Sequence, residues 1–126
     1  MDSSVWIDFF SSSPGKAGGE LRRMIEESEP IALTGVVVAE VLQGLTRDAG
    51  AIEEFLGQWD MLDPGDLETY RAAAAIYRRG RGKGISLTTI DTLIAAIALE
   101  HHAGLFTLDQ DFSRIALITS LTLYRF

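Results

Sequence analysis

Residues 89–112 read TIDTLIAAIALEHHAGLFTLDQDF, and the fold class can be predicted from the elements that they contain. Residues 88–101 form the most strongly apolar segment of the chain, which predicts a helix that is buried on most sides. The following AGLFTL is short and apolar, which predicts a buried strand, and DQDFSRIA predicts a short helix. A helix, a buried strand and a helix in this order are typical of a parallel sheet with helices on both faces.

The rest of the chain continues this alternation of helices with short strands. The pattern predicts helices at residues 3–10, 20–28, 36–45, 51–62 and 67–79, turns at 11–19 and 63–66, and strands at 31–33 and 121–126. Pro30 and the glycines of GRGKG are expected to end the helices before them. We therefore predict an α/β fold with three layers, α/β/α, around a short parallel sheet, in a single domain that spans residues 1–126.

Composition excludes several classes of protein. With 126 residues and 47% apolar content, the chain can bury one core but not two. It has no cysteine, which excludes disulfides, thiolate metal sites and a cysteine nucleophile. The sequence has neither a basic and apolar leader nor an apolar run of roughly 18 residues, so we expect a soluble, cytoplasmic protein with no membrane partner. The net charge of -7 repels polyanions, and a nucleic-acid substrate would need local basic patches or bound cations.

Four acidic residues stand out from this pattern. Glu40 lies within the apolar run GVVVAEVLQGL, and Asp91 is nearly the only charge of its helix. Buried carboxylates are costly unless they are paired or bind a cation. Asp109 follows the predicted strand directly, with Asp111 two residues later, and ligands of parallel α/β sheets bind at the carboxyl ends of the strands.

Each of these acids also has a purely structural interpretation. Glu40, Gln43 and Arg47 fit the spacing of a solvent-facing helical stripe. Asp91 lies three residues after Thr88, the spacing of a capping box, and an acid in the first turn suits the helix dipole. Asp109 could simply cap the last short helix. From the residues alone, both interpretations stay open.

Three blocks of the sequence together resemble one protein family. DSSVWIDFF, AEVLQGL and IDTLIAAIALEHHAGLFTLDQDF are similar, in order and spacing, to the signature blocks of PIN-domain ribonucleases, particularly the VapC-type toxins of toxin-antitoxin pairs. In that family, acids from the three blocks converge at the carboxyl edge of a parallel sheet and hold Mg²⁺ or Mn²⁺. Carried over by position, the resemblance implies that the catalytic and metal-binding residues are Asp2, Glu40, Asp91 and Asp109, with Asp111 as an outer ligand. It also implies a hydroxyl near the metal at Ser4.

The resemblance implies a function and partners. The expected reaction is endonucleolytic hydrolysis of RNA by a metal-activated water, and the expected partners are an inhibitory VapB-type antitoxin and a second copy of the chain in a homodimer. Carboxylates and water are the ligands that hard divalent cations prefer, which agrees with such a site. The alternative is a catalytically silent PIN-like module that binds RNA or protein, because a fold does not guarantee an activity.

The opening MDSSVWIDFF offers two acids for one role. The resemblance places Asp2 at the end of the first strand and Asp8 inside the following helix, where we expect Asp8 to face solvent. Only Met1 stands where the family has three or four apolar strand residues, so we expect either that the native start lies upstream or that Asp2 is poorly anchored and the site is weakened.

Two further segments have open interpretations. The basic segment RRGRGK (residues 78–83) could contact an RNA backbone, or it could satisfy the carbonyls and dipole at the end of its helix. Trp6, Phe9 and Phe10 are expected to belong to the core, although they are numerous enough to add anchors for the antitoxin.

Overall fold

The computed structural model describes residues 1–44 and 47–126. Seven helices and two short strands follow one another in these residues, in the order α1 (Ser3–Phe10), α2 (Lys16–Glu26), β1 (Ala32–Leu33), α3 (Gly35–Gln43), α4 (Ala49–Leu56), β2 (Asp60–Met61), α5 (Leu67–Gly82), α6 (Thr89–Glu100) and α7 (Gln110–Ile118). The helix predicted at 36–45 is confirmed as α3 up to Gln43, and the last predicted residue, Leu45, lies outside the described part. Among the described residues, no helix is both long and apolar enough to cross a bilayer.

The sheet is parallel and very short. Strands β1 and β2 pair in parallel, with Ala32 opposite Asp60, and a separate parallel bridge joins Leu105 to Leu123. The strands predicted at 31–33, 103–108 and 121–126 are therefore present, although the last two reduce to this bridge.

The first two residues connect these two pairs of strands. The Met1 amino group donates a hydrogen bond to the Ala32 carbonyl (3.3 Å), and the Asp2 N–H donates to the Phe106 carbonyl (2.8 Å). A segment whose successive backbone groups form hydrogen bonds with neighbours on opposite sides lies between those neighbours in the sheet. The order is thus β2, β1, Met1–Asp2, Leu105–Phe106 and Leu123, with the N-terminal residues in the middle.

Helix α6 forms the centre of the core. Its residues Ile94, Ala95 and Ile97 are at most 1% exposed, which explains why the sequence of this helix is apolar on nearly every side. Helix α6 packs against α3, α5 and α7, while α1 packs against α2 and α3. This arrangement, a short parallel sheet with packed helices, agrees with the predicted three-layer α/β/α fold.

The turn predicted at 11–19 is wrong in its second half, because α2 already begins at Lys16. The carboxylate of Asp8 accepts hydrogen bonds from the N–H groups of Gly15 (3.0 Å) and Gly18 (2.7 Å), which satisfies the first donors of this helix. Gly18 has to be a glycine, since a Cβ there would lie 2.9 Å from the Asp8 carboxylate. The expectation that Asp8 faces solvent is therefore also wrong.

Two other boundaries differ from the prediction. The helix predicted at 51–62 ends at Leu56, and Asp60–Met61 forms strand β2 instead, which has no apolar alternation because both residues are exposed. Helix α5 continues beyond residue 79 to Gly82. Gly80 is buried there under Leu87, whose Cδ1 atom would lie 2.8 Å from a Cβ, so this glycine serves close packing rather than helix termination.

Candidate metal centre

Three carboxylates meet where α6 and α7 begin. Asp91, Asp109 and Asp111, called here the aspartate cluster, each offer one oxygen atom, and these atoms lie within 4.8 Å of one another. Asp91 is in the first turn of α6, Asp109 is the N-cap of α7 and Asp111 is in its first turn. The positive ends of two helix dipoles therefore lie beside the three negative charges.

The interpretations of Asp91 and Asp109 as parts of helix caps are also correct. The Asp91 N–H donates to the Thr88 hydroxyl (3.1 Å), and the Asp111 N–H donates to a carboxylate oxygen of Asp109 (2.9 Å). Each cap uses one donor and one acceptor and leaves carboxylate oxygens for other partners. Structural and ligand roles therefore coexist in these residues.

Asp2 is held by two hydroxyl groups. Its side chain is buried, with 4% of the residue exposed, and its Oδ2 atom accepts hydrogen bonds from Ser4 (2.8 Å) and Thr107 (2.7 Å). Ser4 also accepts from the Leu108 N–H (2.9 Å), so the clamp ties the start of α1 to the segment before α7. Asp2 is therefore firmly anchored, because these hydroxyls hold its carboxylate and its backbone N–H donates to the Phe106 carbonyl.

Thr107 was not predicted from the sequence as a residue of the site. Its hydroxyl donates to Asp2 and accepts from the Asp109 N–H (2.9 Å), so one side chain connects two of the acids. Its position offered a signal, since a hydroxyl residue near the end of the strand that precedes Asp109 can reach its neighbours at the sheet edge.

Glu40 lies at the side of the cluster. It is half-buried on α3, and its Oε1 atom accepts a hydrogen bond from the Ser3 hydroxyl (3.2 Å). Gln43 of the suggested polar stripe is exposed, whereas Glu40 turns toward α1. Asp2 and Glu40 do not belong to the group of oxygens within 4.8 Å.

Electrostatics nevertheless link all five acids. Burial raises the pKa of Asp91 to about 6, helped by the charges of Asp109, Asp2 and Asp111 and opposed by a hydrogen bond from Thr88. Burial also raises the pKa of Glu40, with smaller contributions from Asp2 and Asp109 and an opposing bond from Ser3. Mutual repulsion of this kind is relieved by a bound cation.

Little cationic charge from the protein compensates the site. Arg114 pairs with Asp111 at 2.9 Å, and no other side-chain ion pair of the described residues involves the five acids. Carboxylates together with hydroxyls make an all-oxygen donor set, which fits Mg²⁺ or Mn²⁺ and not a soft metal. The residues present therefore fit a hard divalent cation.

Comparison with known proteins agrees with this fold. The family model of the PIN domain matches residues 1–118. The chain belongs to the PIN domain family. It is similar to VapC ribonuclease Mb1587 of Mycobacterium bovis and to ribonuclease VapC11 of Mycobacterium tuberculosis, each 36% identical over 125 residues that cover 96% of this chain and 93% of the relative.

Two solved structures share the fold. VapBC2 from Rickettsia felis, bound to a DNA fragment from its promoter, matches with a TM-score of 0.77 at 20% identity and covers 99% of this chain and 96% of the matched chain. FitAcB from Neisseria gonorrhoeae matches with a TM-score of 0.71, also at 20% identity, and covers 98% and 94%. At these identities the likeness concerns the fold.

The aromatic residues of α1 in this PIN domain differ in their burial. Trp6 is fully buried, as expected for the core, and so cannot serve as an anchor for a partner. Phe9 and Phe10 are half-buried and, together with Phe55, form stacked and edge-to-face pairs. Ile7 is the apolar residue of α1 that is openly accessible, with 53% exposed.

Proposed function

We propose that this PIN domain, spanning residues 1–126, is a metal-dependent endoribonuclease toxin of a toxin-antitoxin pair and acts in the cytoplasm. The observation that carries the proposal is the aspartate cluster, with three carboxylate oxygens within 4.8 Å of one another beside a buried Asp2. The curated relatives named VapC ribonuclease, at 36% identity over nearly the whole chain, support RNA as the substrate.

The acidic residues would bind the metal, and two hydroxyl residues would orient one of them. Asp2, Glu40, Asp91, Asp109 and Asp111 would hold Mg²⁺ or Mn²⁺. The ion, when bound, supplies an activated water and neutralises charge on the phosphoryl group. Ser4 and Thr107 both bind Oδ2 of Asp2, which fixes the orientation of the carboxylate and leaves Oδ1 for the ion.

Removing one carboxylate charge tests this proposal. Asp91→Asn keeps the size of the side chain and loses the charge, so we expect RNA cleavage in the presence of Mg²⁺ or Mn²⁺ to fall below detection while the circular dichroism spectrum is unchanged. Asp60→Asn, an exposed aspartate in β2, is the matched control and should cleave at the wild-type rate. Cleavage by Asp91→Asn, or by the wild type in excess EDTA, would contradict the metal mechanism and favour the silent binding module.

The partner proposed for this chain is a VapB-type antitoxin. The structural neighbours are a VapBC complex and FitAcB, and the exposed Ile7, one helical turn before the half-buried Phe10, gives α1 an accessible apolar surface. We expect Ile7→Asp to weaken inhibition by the cognate antitoxin, measured as the antitoxin concentration that halves cleavage. Leu117→Asp on α7, where Leu117 is 84% exposed, is the control and should leave inhibition unchanged. Equal inhibition of both variants would exclude α1 as the docking surface.

A further inference from the structure

Two arginines follow one face of helix α7, which begins at the acid site. Arg114 lies on this helix three residues after Asp111, and Arg79 reaches over from α5 to donate to the carbonyl of Ile118, the last residue of α7 (2.6 Å). Asp111, Arg114 and Ile118 fall within an arc of about 60° around the helix. Both arginines are exposed, and we call them the arginine track. The track leads away from the aspartate cluster along α7.

Most of the hydrogen-bonding capacity of Arg114 is unused. Its Nη1 atom donates to Oδ1 of Asp111 (2.9 Å), and within residues 1–44 and 47–126 its side chain forms no other hydrogen bond. The side chain is 55% exposed. A guanidinium group carries several N–H donors in a planar fork, so donors remain for a ligand in the solvent. These donors lie beside the acid site.

Helix stability does not account for the position of Arg114. A second ion pair, between Arg71 and Glu68 of α5, has the same spacing of three residues, the same distance of 2.9 Å and an acid in the first turn of its helix. Exposed pairs of this kind contribute little to stability. The two pairs differ in their surroundings, because Asp111 belongs to the aspartate cluster and Glu68 does not.

A phosphate that approaches the acid site needs positive charge from the protein. The chain has a net charge of -7, which repels a polyanion at long range. Among the ion pairs of the described residues, the one formed by Arg114 is the one that reaches the five acids. A guanidinium group also matches the geometry of phosphate oxygens, with which it forms paired, charge-assisted hydrogen bonds.

We propose that the arginine track binds the backbone of the RNA strand. Arg114 contacts a phosphate beside the acid site, and Arg79 contacts a phosphate further along, since Asp111 and Ile118 are about 10 Å apart along the helix axis. Arg79 belongs to the basic segment RRGRGK, and the carbonyl that it satisfies belongs to α7 and not to its own helix. This inference rests on the proposed function only for RNA as the ligand.

The salt dependence of RNA binding tests the track. A labelled single-stranded RNA is titrated with the protein in EDTA, so that the strand stays intact, and fluorescence anisotropy gives the affinity between about 50 and 200 mM salt. Each phosphate contact adds about 0.7 to the slope of log affinity against log salt. We expect Arg114→Gln to lose about 0.7 of this slope and to bind about five- to tenfold more weakly at the lowest salt, and the double variant with Arg79→Gln to lose about 1.4.

The controls separate a phosphate contact from a structural role. Arg71→Gln removes the same charge from the matched pair and should keep the wild-type slope, and Arg114→Lys should keep most of it because the charge remains. Phosphate contacts carry no sequence information, so two unrelated RNA sequences should lose equal affinity. If the melting curve of Arg79→Gln shows a loss of folding, Arg114→Gln decides alone.

Three results would overturn the inference: a wild type that does not bind the RNA, a wild-type slope in Arg114→Gln, or an equal loss in Arg71→Gln. Because binding is measured without cleavage, the two proposals can fail separately. A chain that shows the expected slopes but never cleaves RNA with Mn²⁺ keeps the track and loses the endoribonuclease. A chain that cleaves RNA but keeps its slope in Arg114→Gln does the reverse.

Discussion

The two sides of the acid site hold their carboxylates by different means. Asp91, Asp109 and Asp111 stand at the starts of two packed helices, α6 and α7, and the Asp109 carboxylate also accepts from the Asp111 N–H. Asp2 precedes α1 on a strand of two residues and depends on the hydroxyls of Ser4 and Thr107. A carboxylate can therefore be positioned either by the helix that carries it or by a few side-chain hydrogen bonds. Its position in the second case is far more sensitive to single substitutions.

Removing Asp2 is the most severe test of the side of the site that depends on hydroxyl groups. We expect Asp2→Ala to abolish cleavage with the fold retained, a loss larger than the roughly 10–100-fold typical of residues that only orient a metal ligand. Asp8→Ala is the informative comparison, because Asp8 caps α2 and lies outside the acid site. It should cleave at nearly the wild-type rate when folded, and lose about 1–3 kcal/mol of stability in urea denaturation. If Asp8→Ala is inactive and Asp2→Ala is active, the first acid has been assigned wrongly.

The hydroxyl clamp can be weakened without touching a carboxylate. Thr107→Val keeps the shape of the side chain and removes its bonds to Asp2 and to the Asp109 N–H. We expect the affinity for Mn²⁺ to fall roughly 10–100-fold, as for other residues that orient a ligand. Titration calorimetry measures this, with Thr119→Val at the end of α7 as control. Unchanged affinity in Thr107→Val would show that Asp2 does not depend on the clamp.

The side formed by the aspartate cluster can be tested by pH. The pKa of Asp91 is raised to about 6, so protons compete with the metal below this value. We expect the apparent Mn²⁺ affinity to be constant above pH 7 and to fall about tenfold per pH unit below 6. The melting temperature without metal should move in the opposite sense, since a raised carboxylate pKa makes the folded state less stable as pH rises from about 4 to 6. A metal affinity that is constant down to pH 5 would contradict the assignment.

The smallest expected effect concerns the short central strand. A groove of about 740 Å³ beside Met1 is lined by Ala32 of β1 and by Gly104 and Phe106, among others, and burial lowers the pKa of the Met1 amino group to about 6. Adding Ile-Leu-Val before Asp2 would extend the strand into this groove and move the amino group out of its buried position. We expect the melting temperature to rise by a few degrees, about what 1 kcal/mol gives in a domain of this size. Adding Gly-Ser-Gly instead should give a smaller rise.

The same contrast explains what the sequence could and could not predict. Helix α6 was predictable because its apolar residues have to be buried, and the acids were found through the resemblance of three blocks to a family. Thr107, the cap made by Asp8 and the buried Gly80 were missed, since each depends on a contact between segments distant in the sequence or on close packing. Strand β2 was missed because two exposed residues carry no apolar pattern.

We propose that Asp2 on one side and the aspartate cluster on the other bind the metal together. Mn²⁺ binding measured by electron paramagnetic resonance tests it most directly, in the wild type, Asp2→Asn and Asp109→Asn. The two variants remove one charge from each side. We predict that the wild type binds Mn²⁺ and that both variants lose most of this affinity while remaining folded. If Asp2→Asn binds Mn²⁺ with the affinity of the wild type, this proposal is wrong, because the metal then needs only the aspartate cluster.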